Sequence, residues 1–114
     1  MESFTHAFRG AATLLASQHN AWIHLSATGI VIAAGYYFRV TSMEWIALIV
    51  AIGLVWVAEA LNTGIEFLAD EVSEERRDRI KKAKDVAAFG VLTASAAAFA
   101  IGIIVFLPYV RSPL

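Results

Sequence analysis

The sequence predicts an all-α integral membrane protein, with an N-terminal amphipathic surface helix followed by three transmembrane helices. The 114-residue chain is 59% hydrophobic, which is too apolar for a water-soluble domain of this size. Its charges are also segregated, because six of its nine basic residues lie between residues 76 and 84, with long apolar runs on both sides. We expect one membrane-embedded domain over residues 1–114.

The first 23 residues have the periodicity of a helix that lies on the membrane. In residues 3–23, Phe4, Phe8 and Leu15 share one helical face and Arg9 lies on the opposite face, which is the pattern of an interfacial helix. We expect no cleavable signal here, because polar residues interrupt the apolar run.

Three apolar runs are long enough to cross a bilayer. The spans we predict are Ala21 to Phe38, residues 44 to 69, and Val86 to Val110. The only ionisable residue of the first span is His24, which we interpret as a hydrogen-bonded interfacial side chain. Residues 39–44 form a short polar turn, and Pro108 and Pro113 are expected to end the last helix.

The charged segment from Asp70 to Asp85 fixes the predicted topology. We expect a short helix capped at Ser73 on the cytoplasmic side, because basic loops remain in the cytoplasm. The N-terminus is then also cytoplasmic. With a net charge of −1 and its basic residues confined to this loop, the chain has no feature that favours a nucleic acid partner.

The last apolar run carries a stripe of small residues spaced four apart. These are Gly90, Ala94, Ala98 and Gly102. Small residues at this spacing let another helix approach closely, and three thin helices bury little area alone. We therefore predict a homo-oligomer.

A polar stripe inside the second span is the candidate functional site. At 100° per residue, five side chains fall on one helical face: Glu59, Asn62, Thr63, Glu66 and Asp70. A charged side chain at bilayer depth costs roughly 2.5–3.5 kcal/mol, so helices keep such residues where they serve a function.

The stripe suits a reaction between a lipid-embedded acceptor and a water-soluble donor. Glu59 and Glu66 are about 10 Å apart along the helix axis, so the deeper carboxylate could act as a general base while shallower ones hold a cation with phosphates. Lys84 and Asp85 enter the third span at the depth of Asp70, where Lys84 would counter phosphate charge. No standard nucleotide-binding motif or zinc spacing is present.

A proton- or cation-coupled transporter is the alternative that these spacings leave open. Transporters also place carboxylates within spanning helices, but they usually need polar positions through the whole membrane depth. In the second span the polar positions stop at Glu59 and the rest of the span is apolar, which is less typical of a transporter.

Two motifs resemble the bacterial integral-membrane diacylglycerol kinase and undecaprenol kinase family. They are EALNTGIEFLAD at Glu59 to Asp70 and KAKDVAAFGVL at Lys82 to Leu92, and the likeness extends from FRG at Phe8 to FLP at Phe106. The resemblance implies an enzyme of the bacterial inner (plasma) membrane. Its expected activity is Mg²⁺- and ATP-dependent phosphorylation of a lipid hydroxyl by a homotrimer with sites shared between subunits.

The resemblance also implies a role for each matching residue. Glu59 would be the general base, Asn62 would position the reacting groups, and Glu66 would be a metal ligand near the ATP phosphates. The remaining members of the implied nucleotide site are Asp70, Glu75, Arg76, Arg77, Lys84 and Asp85.

One position departs from the family pattern. Gln18 stands eight residues after Gly10, where the family has a second metal-ligating glutamate. An amide oxygen can coordinate Mg²⁺ but brings no charge, so a catalytically weak family member is a further alternative. Ala88, where some diacylglycerol kinases have serine, makes the chain look more like the undecaprenol kinase branch.

Overall fold

The computed structural model describes residues 2–72 and 77–111, and all the regular structure in these ranges is α-helical. The helices are α1 (Glu2–Ser17), α2 (His19–Phe38), α3 (Ser42–Val72) and α4 (Asp78–Arg111). The last three are long and apolar enough to cross a membrane. The all-α class and the three spans are therefore confirmed.

The break between α1 and α2 falls earlier than the periodicity indicated. We predicted one surface segment over residues 3–23, but Gln18 is extended, with φ −120° and ψ 118°, and α2 begins at His19. The indole Nε1 of Trp22 donates a 2.7 Å hydrogen bond to the carbonyl of Leu15. In a continuous helix the Leu15 carbonyl would accept from the backbone N–H of His19, so the Trp22 side chain replaces that donor.

A capping box fixes the turn between α2 and α3. Arg39 ends α2 in the left-handed region, with φ 56°. At the start of α3, Glu44 N donates to Thr41 Oγ1 at 3.1 Å, and Thr41 N donates to Glu44 Oε1 at 2.8 Å. These reciprocal bonds satisfy two backbone donors at the helix start, so α3 begins at Ser42, two residues before the predicted position.

Close packing at this end of the bundle depends on one glycine. A Cβ on Gly35 would lie 2.5 Å from the ring of Trp45, so only glycine allows the two helices this approach. The Tyr36 ring also packs against the indole, with ring centroids 5.0 Å apart. The adjoining apolar core contains Val40, Leu48 and Val105, packed against Val31, Phe38, Trp45, Ile101, Phe106 and Tyr109.

Helices α3 and α4 form an antiparallel hairpin that is tied at both ends. At one end the Tyr109 hydroxyl donates to Glu44 Oε1 at 2.5 Å, and at the other Lys84 Nζ donates to Asp70 Oδ1 at 2.6 Å. Glu44 and Asp70 are 26 residues apart, or about 39 Å along the helix. Since the hydrocarbon core is about 30 Å thick, both polar ties lie near or beyond its boundaries.

Helix α4 is longer at both ends than we predicted. It starts at Asp78 and runs without a break into the membrane span, so residues 78–85 do not form a separate short helix. The predicted cap Ser73 lies outside the described residues. Pro108 does not end the helix, which continues to Arg111; one proline removes a single backbone bond, and the Tyr109–Glu44 bond holds the following residue in place.

The stripe of small residues on α4 is only partly used within this chain. Ala94 is buried, whereas a Cβ on Gly90 or Gly102 would meet no atom within 4 Å. The described spans also leave most of their large apolar side chains exposed. These surfaces must be covered by lipid or by protein, as expected for a membrane protein.

Candidate active site

Glu59 lies in the middle of α3, on the face that packs against α4. This face is apolar at Leu48, Ala51 and Val55 and becomes polar at Glu59 and Thr63, which are only 2% and 4% exposed. The periodicity therefore placed the polar stripe correctly, and its deepest carboxylate is inside the bundle.

The hairpin register gives the depth of Glu59 and its neighbours on α4. Glu59 lies 11 residues from Asp70, about 16 Å along the axis of α3. With a 30 Å hydrocarbon core centred between the two hairpin ties, Glu59 is about 12 Å inside and Glu66 is near the boundary. The same register sets Glu59 level with Ala94 and Ser95, two small side chains that leave room beside the carboxylate.

Three buried oxygens on consecutive turns of α3 have no hydrogen-bond partner among the described residues. They are Glu59 Oε2, Asn62 Oδ1 and Thr63 Oγ1. A buried polar atom without a partner costs about 1–3 kcal/mol, and more when it is charged, so natural proteins rarely leave several together. Such a group is typical of a site that completes its hydrogen bonds when a ligand or a neighbouring subunit is present.

His24 contacts Glu59, which the sequence did not predict. Its Nε2 lies 3.3 Å from Glu59 Oε2, close enough for an ion pair, although the atoms are not aligned as a hydrogen bond and Oε2 remains without one. Our interpretation of His24 as an interfacial side chain was therefore wrong. No spacing within one helix reveals this contact, because it depends on how α2 packs on α3.

Thr28 and Trp56 connect α2 and α3 next to this pair. Thr28 Oγ1 donates to the His24 carbonyl at 2.7 Å and accepts a 3.0 Å bond from Trp56 Nε1. The His24 and Trp56 rings also pack edge to face, with centroids 6.3 Å apart. His24 is thus held from both its backbone and its ring.

Charged side chains cluster at the other end of the stripe, where α3 and α4 leave the membrane. Asp70 pairs with Lys84 at 2.6 Å, a contact that we did not predict, and both side chains are partly open to solvent. Asp85 instead pairs with Lys81 at 3.0 Å on its own helix, so no contact joins it to Lys84. Because such exposed pairs contribute little to stability, these groups are free to exchange partners with a ligand.

The other candidate site residues are not brought together within the described chain. Neither Glu66 nor the Gln18 side chain has a hydrogen-bond or ion-pair partner there, and no cluster of three metal-binding His, Cys, Asp or Glu side chains occurs in it. Arg77 is exposed just before α4. Glu75 and Arg76 lie outside the described residues. The donors on α3 nevertheless suit a hard cation, since Asn62 and Glu66 offer unpartnered oxygens one turn apart.

An apolar groove of about 730 Å³ begins beside the buried pair. It lies between α2, α3 and α4, and it runs from His24 and Thr28 along Ala98 and Gly102 to Val110. On α4 the lining extends from Ser95 to Val110, or about 22 Å. The groove therefore follows the membrane-spanning direction and has one end near Glu59.

A buried carboxylate at the end of an apolar groove, on one helix with surface charges, is the arrangement expected of an integral membrane enzyme that acts on lipid. The chain belongs to the prokaryotic diacylglycerol kinase family, whose model matches residues 5–106, and it is therefore a lipid kinase.

Two named relatives agree with this assignment. The chain is 32% identical over 107 residues to undecaprenol kinase of Bacillus subtilis, with 94% of this chain and 87% of the relative covered. It is 34% identical over 107 residues to a diacylglycerol kinase of Synechocystis sp., with 93% of this chain but only 61% of that relative covered.

Proposed function

We propose that the chain, as a single domain over residues 1–114, transfers the γ-phosphoryl group of Mg²⁺-ATP to the hydroxyl of a membrane lipid of the diacylglycerol or undecaprenol type. The observation that carries this proposal is Glu59, a 98% buried carboxylate with an unpartnered oxygen, on the helix that also carries Asp70 at the membrane surface. This helix therefore links the depth of a lipid hydroxyl to the water that supplies ATP.

Glu59 acts as the general base in this reaction. It accepts the proton of the lipid hydroxyl as that oxygen attacks the γ-phosphorus, and the bond from phosphorus to the bridging oxygen breaks to release ADP. Asn62 lies one turn away with a buried, unpartnered oxygen and positions the reacting groups. Proton transfer to a positioned carboxylate contributes typically 10²–10⁴-fold to a rate.

The nucleotide is held where α3 and α4 leave the membrane. Lys84 exchanges its 2.6 Å contact with Asp70 for the ATP phosphates, because a charge-assisted bond to phosphate is at least as strong. Arg77 and Asp85 lie at the same end of α4 and complete the site together with Glu75 and Arg76 of the connecting segment.

Mg²⁺ would be held by Glu66 and Gln18. When bound, it neutralises charge on the phosphate oxygens. Glu66 is half-buried and without a partner, and the amide of Gln18 supplies an oxygen without charge. The Gln18 side chain makes no contact with Glu66 within the described chain, so the proposal requires the two to meet between copies.

The groove takes the hydrocarbon chain of the acceptor. Its lining is apolar and it runs in the membrane direction, so a lipid chain within it would leave the hydroxyl near Glu59. The relatives are named for two different acceptors, and apolar walls discriminate weakly between chains. Ala88 favours the undecaprenol type, following the resemblance described above.

The assembly is a homotrimer in the bacterial inner membrane. Exposed apolar side chains on all three spans and the open space at Gly90 and Gly102 support close approach by other copies. The basic residues around Arg77 support a cytoplasmic position for the connecting segment. The N-terminal α1 then lies along the cytoplasmic surface, with Phe4 and Phe8 toward lipid.

Family membership favours the kinase over the transporter that the spacings left open. Beyond Glu59 the inner face of α3 is also apolar at Val55, Ala51 and Leu48, which gives an ion no polar path. The remaining alternative is a kinase of low activity, because Gln18 brings no charge to the metal; the measured turnover distinguishes the two.

The deciding experiment incubates the purified protein, in detergent or lipid, with ATP labelled on the γ-phosphate and a panel of lipid alcohols. We expect label on a diacylglycerol or a polyprenol only when Mg²⁺ is present. The matched control is Glu59→Gln under the same conditions. A panel that remains unlabelled, combined with solute flux in liposomes, would overturn the kinase proposal and favour the transporter.

A further inference from the structure

We infer that His24 is a positioning residue for the reaction, holding the Glu59 carboxylate so that one oxygen faces the acceptor hydroxyl. This inference rests on the proposed function, because it gives Glu59 the role of base. It concerns a residue on a different helix from the polar stripe. His24 acts through Glu59 and need not touch the reacting atoms.

The first support is the geometry of the pair. His24 Nε2 is 3.3 Å from Glu59 Oε2, and it is the nearest charged or chargeable partner that the described chain gives to this carboxylate. A glutamate side chain has three rotatable bonds, so a free carboxylate would sample several orientations. The contact of Oε2 with His24 therefore favours one orientation of the carboxylate.

The second support is that His24 is itself fixed on two sides. Its carbonyl accepts a hydrogen bond from Thr28 Oγ1, which in turn accepts one from Trp56 Nε1, and its ring packs against the Trp56 ring. Trp56 precedes Glu59 by three residues on α3, so the two lie on adjacent turns. The Thr28–Trp56 contact therefore joins α2 to α3 within one turn of the Glu59 carboxylate.

The third support is the position of His24 relative to the groove. His24 lines the groove at the end near Glu59, and its side chain is 19% exposed whereas that of Glu59 is 2% exposed. The imidazole therefore stands between the acceptor's path and the buried carboxylate. Since His24 lines the groove and also contacts Glu59, it is placed to set how the base is presented.

The test compares three variants of the full-length protein with wild type. His24→Leu removes the ring nitrogen that faces Glu59 Oε2, and His24→Gln keeps a polar side-chain nitrogen near the position of Nε2. Ser26→Leu is the matched control, because Ser26 is exposed on the same helix, about 200° around it. For each protein we would measure kcat and KM for ATP and for lipid, together with the melting temperature and oligomer size in detergent.

We expect His24→Leu to lower kcat about 10- to 100-fold, the scale produced by a small misplacement of a reacting group. KM for ATP should change little, since the nucleotide residues lie about 16 Å away along α3. His24→Gln should recover kcat to within about threefold of wild type. Ser26→Leu should match wild type.

Two results would overturn the inference while leaving the proposed function intact. One is full kcat in His24→Leu when Glu59→Gln is inactive. The other is an equal loss of kcat in His24→Leu and His24→Gln with unchanged melting and oligomer size, which would show that a polar nitrogen facing Glu59 is not sufficient. If His24→Leu fails to fold, His24→Ala takes its place with the same expected loss of kcat, and Ser26→Ala is its control; full kcat in His24→Ala would overturn the inference. A wild-type protein without lipid phosphorylation would instead refute the proposed function itself.

Discussion

Replacing Glu59 with glutamine changes one oxygen of a buried carboxylate to nitrogen and keeps the shape of the side chain. The substitution should change little else, because Glu59 is only 2% exposed and lies in the middle of a 31-residue helix, away from its ends. Glutamine is a good helix former, so the backbone of α3 should be unaffected. The substitution therefore isolates the loss of the base.

The expected loss of turnover follows from the role of the carboxylate. Without a general base the rate should fall about 10²–10⁴-fold, equivalent to roughly 2.7–5.5 kcal/mol in the activation barrier. Stability should not fall with it. A charge at bilayer depth costs roughly 2.5–3.5 kcal/mol, so its removal leaves the melting temperature the same or higher.

The assay is transfer of labelled phosphate to lipid at saturating ATP, with thermal unfolding measured on the same preparation. Glu44→Gln is the matched control, as it makes the same exchange on the same helix about 22 Å away. Glu44 bonds to Tyr109 and to Thr41, so this variant should melt at a lower temperature yet keep its turnover. The two substitutions should thus have opposite effects on activity and stability.

The reasoning would be refuted if Glu59→Gln kept more than a tenth of wild-type turnover. The base would then be another residue, and the unpartnered oxygen of Glu59 would have to be explained by contacts with a neighbouring subunit. A large drop in melting temperature would refute the argument about buried charge separately, since it would show that the carboxylate stabilises the bundle.

Three further predictions address the metal, the nucleotide and the packing. Gln18→Glu should lower the Mg²⁺ concentration for half-maximal activity and raise turnover, because Mg²⁺ favours anionic oxygen ligands; an unchanged magnesium titration would mean that another residue or water supplies that ligand. Lys84→Met should raise KM for ATP about tenfold or more with little change in melting temperature, since its exposed pair with Asp70 contributes little to stability; an unchanged KM would remove Lys84 from the nucleotide site. Gly35→Ala should destabilise the protein by about 1–3 kcal/mol, measured by thermal unfolding, because the new Cβ would lie 2.5 Å from the Trp45 ring; wild-type melting would show that the indole moves freely.

Local patterns in the sequence were sufficient for much of this architecture. Apolar runs gave the three spans, and a 100° periodicity placed Glu59 and Thr63 on one buried face. The Thr41–Glu44 capping box could also have been read from the sequence, since a threonine followed three residues later by glutamate is its usual pattern. We described that segment only as a polar turn.

Features that depend on contacts between helices were not predictable in the same way. The His24–Glu59 contact joins residues 35 positions apart, and no rule of helical periodicity connects them. The prediction that Pro108 ends α4 was wrong because it, too, ignored contacts between helices. A proline ends most helices, but here the tie between Tyr109 and Glu44 holds the last turn of α4 against α3.

The α3–α4 hairpin has a fixed length between its two polar ties, whereas the thickness of the membrane around it varies. Glu44 and Asp70 are about 39 Å apart, so a bilayer with a 30 Å core leaves about 9 Å of slack. Because Leu48 packs with Val105 and Tyr109 bonds to Glu44, sliding of one helix along the other is opposed, and the hairpin adapts to a thinner bilayer by tilting as a unit. Tilting raises or lowers Glu59 relative to the lipid headgroups, so the thickness of the host membrane would set how far an acceptor hydroxyl must descend to reach it.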